Sequence, residues 1–144
     1  MTAFIFPAGM LGYLCATGSV EAICQRFGRR GIAILSPVMR ILAGLVLATA
    51  PSYGVLLMTY VVFGYGTGLT DTAWNTWASG IQRSNVWQGL LHGSFSLGCV
   101  TGPLIATAVL RGHSWSAFYL AIVRRMPLVG ANSPLMLPGT PLCC

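Results

Sequence analysis

Charged side chains are scarce in this sequence. Only 7% of its 144 residues are charged, Glu21 and Asp71 are the only acids, and lysine is absent. A soluble domain carries roughly 25% charged residues, so this chain lacks the charge to cover a surface that faces water. Its mean hydropathy is +0.74. These values indicate an integral membrane protein with the lipid bilayer as its solvent.

Several patterns that would indicate other functions are also missing. The sequence has no paired carboxylates, catalytic triad or nucleotide-binding loop, so it predicts no enzyme. No two cysteines have C-x-x-C or zinc-ligand spacing, so we expect neither a metal nor a cofactor. All eight basic residues are arginines. They fall between apolar runs rather than on one face with aromatic residues, which argues against a nucleic-acid partner.

Long apolar runs are what the sequence does contain. A transmembrane helix needs roughly 20 residues, and such runs cover residues 3–23, 32–50, 55–79 and 88–110, with a fifth, partial run at 115–123. Runs of this length joined by short links are helices rather than strands. The sequence therefore predicts an all-α, polytopic transmembrane helix bundle over residues 1–123.

A change of composition follows the last apolar run. Residues 124–144 hold four of the eight prolines, and an interior proline costs a helix about 3 kcal/mol. We expect a Pro-rich irregular tail here. Either the tail is not a native part of the fold, or it is lipidated at Cys143-Cys144.

Arginine placement predicts the orientation of the helices. Six of the eight arginines lie in the segments 26–30, 83 and 124–125, which alternate with arginine-poor links such as Pro51–Gly54. Because cytoplasmic loops are enriched in arginine, these segments are predicted to be cytoplasmic. The protein is then multi-pass, with its N-terminus outside; the sequence does not distinguish the plasma membrane from an internal one.

One of these segments leads to a family. Arg26-Phe27-Gly28-Arg29-Arg30 lies between two apolar runs and resembles the loop between helices two and three of the major facilitator superfamily, Gly-x-x-x-Asp-Arg-x-Gly-Arg-Arg/Lys. Arg26, Gly28, Arg29 and Arg30 match that motif, whereas Gln25 replaces its aspartate and Glu21 its leading glycine. The resemblance therefore implies that this segment is the structural loop between two helices. The acid that would pair with its arginines is either missing or replaced by Glu21.

Two further stretches extend the resemblance in the same order. Gly98-x-x-x-Gly102-Pro103 resembles the family's helix-five motif, and residues 64–75 and 90–95 are similar to fungal facilitators of the fucose-permease-like, bypass-of-stop-codon type. The resemblance implies helices two to five and part of six, a partial N-terminal half of the twelve-helix fold. It also implies secondary transport of a small solute across the membrane.

Three functions compete at this point. The first is a facilitator-type transporter, present as a fragment that is incomplete or inactive by itself. The second is a non-transporting, truncated membrane protein that acts through helix–helix association with a partner. The third is a dimeric small multidrug-type transporter, although its essential acid would lie early in the first helix, whereas Glu21 lies at that helix's cytoplasmic end.

Two ionisable residues inside the apolar runs are the main candidates for a site. At 1.5 Å per residue, Asp71 and Arg40 are predicted to lie roughly 12 to 14 Å from the cytoplasmic ends of consecutive helices. Charges at this depth usually face a cavity or a partner. They are expected either to form an ion pair that sets helix register or to bind substrate or a proton.

Three neighbours complete the candidate pathway. Trp74 and Asn75 follow Asp71 by three and four residues and so share its helical face. His92, one turn into the fourth run, offers an imidazole for proton coupling or a bond to a neighbouring helix. Trp77 and Trp87 are predicted to belong to the aromatic belt at the membrane surface.

Small residues form the last pattern. Gly64-x-x-x-Gly68, Gly89-x-x-x-Gly93 and Gly98-x-x-x-Gly102 have the spacing that lets helix backbones approach closely. We predict helix packing there, with a kink at Pro103.

Overall fold

The computed structural model describes residues 2–49, 51–112 and 115–131. A 3-10 turn, Thr2–Phe4, leads into helices α1 (Ile5–Ala48), α2 (Tyr53–Ser79), α3 (Ser84–Gly112) and α4 (Trp115–Ala131). The described part of the chain contains helices and no strand, so the prediction of an all-helical protein is confirmed.

Helix α1 is divided by a backbone break at Gly28. This residue has φ 65° and ψ −172°, a conformation that is readily adopted only by glycine. We call residues 5–27 the N-terminal arm of α1 and residues 29–48 its C-terminal arm. The break lies between the predicted runs 3–23 and 32–50 and inside the arginine-rich segment, so one residue separates the two arms.

Helix α2 lies along both arms. Gly9 of the N-terminal arm lies beside Gly64, and Ala16 lies beside Gly68, so this arm and α2 run in the same direction. The C-terminal arm runs the opposite way, because Ser36 bonds to Thr70 and Arg40 lies against Gly66. The two arms therefore form a helical hairpin around α2.

Close approach between α2 and the arms depends on glycine. A Cβ on Gly64 would collide with the backbone oxygen of Gly9, and a Cβ on Gly12 would collide with that of Val61. At Gly68 a Cβ would lie 2.8 Å from the Cβ of Ala16. Larger residues at these positions would push the helices apart, since real Cβ atoms do not approach other atoms so closely.

The buried core lies where the two arms meet α2. It consists of small and medium-sized apolar residues, namely Ala16, Cys24, Ile32, Ala33, Leu69 and Ala73. Leu69 and Ala16 are 0% exposed, so this contact packs the C-terminal half of α2 against α1.

Helix α4 packs at the far end of the C-terminal arm. The indole Nε1 of Trp115 donates to the carbonyl oxygen of Leu47 at 3.0 Å, and the Ser116 hydroxyl donates to that of Ala48 at 2.6 Å. These two carbonyls belong to the last turn of α1, where the usual helical N–H donors are missing. The start of α4 therefore caps the end of α1.

The end of α4 corrects one expectation. The irregular tail was expected to start at residue 124, but the helix continues to Ala131 and includes Pro127. A proline in a helix removes one backbone hydrogen bond and bends the helix, which need not end there. The remainder of the expected tail, residues 132–144, lies outside the described residues.

Helix α3 has little contact with the other helices. None of its described side chains is buried, and a Cβ on Gly89, Gly93, Gly98 or Gly102 would meet no atom within 4 Å. Helix packing through Gly98 and Gly102 therefore stays a prediction. Pro103 lies inside α3, which continues on both sides of it.

Within the described residues, two helical segments have the length and hydropathy of a membrane span, Arg30–Ala48 and Ser84–Val109. They correspond to the predicted runs 32–50 and 88–110. The predicted spans at 3–23 and 55–79, and hence the multi-pass topology, stay predictions.

Candidate functional site: a cavity between α2 and α3

A cavity of about 1140 Å³ lies between α2 and α3, beside both arms of α1. The arms contribute one residue each, Tyr13 and Arg40. Helix α2 contributes Thr67, Thr70, Asp71, Trp74, Trp77 and Ala78, and α3 contributes Trp87, Leu90, Leu91, His92, Ser94 and Phe95. The wall is largely apolar, with a few convergent polar groups, which is the usual character of a small-molecule site.

Asp71 is held by a residue that the sequence pattern did not indicate. The Tyr13 hydroxyl donates to Asp71 Oδ2 at 2.7 Å. The bond crosses from the N-terminal arm to α2, so it depends on the close glycine packing of these two helices. No spacing in the sequence relates Tyr13 to Asp71, because they belong to different helices.

Arg40 lines the same cavity but does not pair with Asp71. No nitrogen of Arg40 lies within the 4.0 Å limit of an ion pair with that carboxylate, and the buried Nε of Arg40 has no hydrogen-bond partner among the described residues. The ion pair, which was one of the two alternatives for these residues, is therefore not formed in this structure. Asp71 instead accepts a hydrogen bond from Tyr13 on the opposite arm of α1.

A buried hydroxyl pair fixes the C-terminal arm next to Arg40. The Ser36 hydroxyl donates to the carbonyl oxygen of Gly66 at 2.9 Å and shares a hydrogen bond with Thr70. A Cβ on Gly66 would lie 2.8 Å from Cγ of Arg40. The stem of Arg40 is thus packed against the α2 backbone, which directs its guanidinium along the cavity wall.

Three tryptophans form much of the apolar wall. Trp74 and Trp77 meet edge to face, with ring centroids 5.5 Å apart and an interplanar angle of 84°. Trp87 lies across from them on α3 and is 48% exposed. The prediction that Trp77 and Trp87 belong only to a membrane-surface belt is thus incomplete, since both also face this cavity.

The other two sequence candidates differ in position. His92 lines the cavity from α3 and is exposed. Asn75 is not among the lining residues, because its side-chain amide donates to the backbone oxygen of Asp71 at 2.9 Å. The structure therefore brings together Asp71, Arg40, Trp74 and His92, and leaves Asn75 bonded to its own helix.

A second cavity, of about 540 Å³, lies farther along α2 toward its N-terminus. It is bounded by the N-terminal arm and α2 through apolar residues such as Phe6, Met10 and Phe63. Tyr13 and Thr67 line both cavities. Tyr13, which donates to Asp71, therefore lies between the two cavities.

The arginine-rich segment lies apart from the cavity. Arg26 stacks over the neighbouring ring of Phe27, with Cζ 5.8 Å from the ring centroid. Glu21 accepts a hydrogen bond from Gln25 at 3.4 Å. Neither Arg26 nor Arg30 lines the site, and the side chain of Arg29 lies outside the described residues. Gly28 has a structural role in this motif, because its backbone conformation forms the break in α1.

Comparison of sequences relates this chain to known proteins. The chain is 34% identical over 119 residues to bypass of stop codon protein 6 of Saccharomyces cerevisiae, covering 81% of this chain and 24% of that protein. It is 25% identical over 116 residues to a D-xylose transporter of Levilactobacillus brevis, covering 81% of this chain and 25% of that transporter. No family model matches the chain, and no solved structure matches it.

These alignments bear on the expected resemblance. The chain spans about a quarter of the length of these curated relatives. The predicted similarity to a bypass-of-stop-codon protein is confirmed, and the chain is related in sequence to a protein named as a transporter. Membership of the major facilitator superfamily stays a prediction.

Proposed function

We propose that this chain is part of a major facilitator transporter, a multi-pass membrane protein that moves a small solute, and that the solute binds in the cavity between α2 and α3. The observation that carries the proposal is the position of Asp71 and Arg40. Two opposite charges from different helices face one cavity, and Asp71 is bonded to Tyr13 rather than to Arg40. Ionisable groups inside a membrane usually mark a substrate or ion pathway.

The aromatic wall supports binding of a solute with an apolar face. Sugars and ring-containing acids have such faces, which stack on indole rings while their polar groups bond to charged side chains. The similarity to a D-xylose transporter makes monosaccharides the first probes to use. The carboxylate of Asp71 can accept hydrogen bonds from hydroxyl groups through the lone pairs that Tyr13 leaves free.

Intrinsic fluorescence of the purified chain in detergent tests solute binding. Three of the four tryptophans, Trp74, Trp77 and Trp87, line the cavity, so a bound solute is expected to change the emission. Titration with D-xylose, D-glucose and D-glucuronate should give a saturable change with at least one of them. Asp71→Asn should weaken that binding by roughly tenfold or more, the loss expected for one charge-assisted hydrogen bond.

The matched control is Glu21→Gln, which also replaces an acid by its amide but lies outside the cavity and is exposed. It should bind the same solute with unchanged affinity. A flat titration with every probe, or an equal loss in both variants, would contradict solute binding in this cavity.

The membrane topology is tested separately. Alkaline carbonate should leave the chain in the membrane pellet. An extended loop that carries an N-glycosylation acceptor should be glycosylated when inserted in the Pro51–Gly54 turn and not when inserted at residues 80–83, since the arginine pattern predicts opposite sides. Glycosylation at both places, or at residues 80–83 alone, would contradict the proposed orientation.

A second candidate function is association with a partner through α3. Apolar residues such as Leu97, Val100 and Leu104 on this helix are at least 65% exposed, and a Cβ added to its glycines would meet no atom within 4 Å. Crosslinking in membranes tests it. A defined complex that is lost in Gly98→Leu, with no solute binding by the wild-type chain, would favour this function over transport.

A further inference from the structure

Arg40 is the charged group of the cavity whose partner the described structure does not supply. Its Nε is buried and makes no hydrogen bond, while the acid that lines the cavity, Asp71, accepts a hydrogen bond from Tyr13. A guanidinium has five N–H donors in a planar fork that matches a carboxylate. A buried N–H donor without an acceptor is costly, so the Nε of Arg40 makes this position favourable for an anion that enters the cavity.

From this geometry we infer that Arg40 binds the carboxylate of a small organic acid whose ring lies against the tryptophans of the same cavity. The inference rests on the proposed function, because it names the class of solute that the site takes. It goes further by making the solute an anion rather than a neutral sugar.

The packing of Arg40 supports a fixed binding position. Its stem lies against the backbone of α2 at Gly66, and the preceding turn of the arm is held by the hydrogen bonds of Ser36 with Gly66 and Thr70. A guanidinium held by its stem loses little freedom when it binds, which favours affinity. The lining residues on the tryptophan side are mostly apolar, and they offer a ring a surface for stacking.

The other polar groups of the cavity determine how the bound acid is oriented. Asp71 opposes a second negative charge, so the carboxylate is expected at the Arg40 side and the neutral end of the solute at the Tyr13 and Asp71 side. His92 and Ser94 on α3 are open to solvent and can contact polar groups of the solute. A monocarboxylate with hydroxyl groups or an aromatic ring satisfies this arrangement.

Isothermal titration calorimetry of the full chain with two matched pairs of ligands tests the inference. The pairs are D-glucuronate against D-glucose and benzoate against benzamide, which have similar rings and differ in charge. The wild-type chain should bind the acid of at least one pair roughly tenfold more tightly than its neutral counterpart. In Arg40→Gln the ratio of the two affinities should fall toward one, and in Arg40→Lys it should be intermediate, because lysine keeps the charge and loses the fork.

The control variant is Arg111→Gln, which removes an exposed arginine outside the cavity and should leave the ratio unchanged. Circular dichroism verifies that each variant keeps its helices. Equal or tighter binding of the neutral ligands by the wild-type chain would overturn the inference and leave the proposed function standing. A ratio that persists in Arg40→Gln would also overturn it, because another group would then bind the acid. No binding of any ligand would overturn both.

Discussion

Tyr13 and Asp71, 58 positions apart in the chain, are joined by a 2.7 Å hydrogen bond between the N-terminal arm of α1 and α2. Asp71 is thus bonded to a neutral phenol, while Arg40 has no acidic partner among the described residues. The bond also ties the position of the candidate site to the packing of two helices.

Tyr13→Phe removes the donor and keeps the ring. We expect it to lower the free energy of unfolding by about 1 kcal/mol, since interhelical hydrogen bonds in membrane proteins contribute roughly 0.6 to 1.7 kcal/mol. Chemical unfolding in mixed micelles, followed by circular dichroism, measures the change.

A double-mutant cycle with Asp71→Ala isolates the bond from other effects of the substitutions. The coupling energy should be about 1 kcal/mol. A coupling near zero would mean that the Tyr13–Asp71 bond does not contribute to stability.

Gly64→Ala should destabilise the protein, whereas Gly98→Ala should not. A Cβ on Gly64 would collide with the backbone of Gly9, but a Cβ on Gly98 would meet no atom within 4 Å. Overpacking of this kind costs roughly 1 to 3 kcal/mol, while alanine in a helix is favoured over glycine by up to about 1 kcal/mol.

Thermal unfolding of the two variants in the same detergent compares identical substitutions on two helices. Equal midpoints would argue against the close contact between the N-terminal arm and α2.

Gly28→Ala should weaken the break in α1. Alanine is strained at φ 65° and ψ −172°, at a cost of roughly 1 to 3 kcal/mol. The control is Gly18→Ala, which lies in the N-terminal arm with no atom within 4 Å of the added Cβ and without a positive φ. Unfolding midpoints should fall for Gly28→Ala alone. If both alanines are tolerated equally, the turn does not need glycine.

Ser116→Ala removes the 2.6 Å hydrogen bond to the carbonyl oxygen of Ala48. Because this bond joins α4 to the end of α1, we expect a loss of about 0.5 to 1.5 kcal/mol in the free energy of unfolding. Ser94→Ala is the matched control, since the Ser94 hydroxyl bonds only to the backbone of its own helix, at Leu91, and is exposed. A loss no larger than that of the control would show that the contact does not stabilise the docking of α4.

Much of the secondary structure follows from composition and local pattern. Long apolar runs with few charges predict helices, and the described helices cover them, because backbone groups in an apolar segment are satisfied within a helix. The position of Gly28 between two such runs predicts the turn for the same local reason, since glycine alone accepts its backbone angles readily. The end of α4 was missed, because a helix can continue past a proline when one missing hydrogen bond is tolerated.

The candidate site could be predicted only in part. Asp71, Arg40, Trp74 and His92 were found from the sequence because a charge, an indole or an imidazole in an apolar run is conspicuous by itself. Tyr13 was missed, since a tyrosine in such a run is ordinary and its role depends on which helix it faces. Asn75 shares a helical face with Asp71 in sequence, but its amide bonds to the backbone instead of entering the cavity.

The sequence by itself determined the helices and the residues whose side chains can bind a solute or a proton. Its shortage of charge also predicted the lipid bilayer as the solvent. Tertiary structure alone decided the pairing: Asp71 with Tyr13 rather than with Arg40, and a cavity between α2 and α3 that includes tryptophans expected at the membrane surface. The physical reason is that helix periodicity is local, whereas the partner of a side chain depends on how closely two backbones approach. Here that approach is permitted by Gly9, Gly12, Gly64 and Gly68, which lie on two different helices.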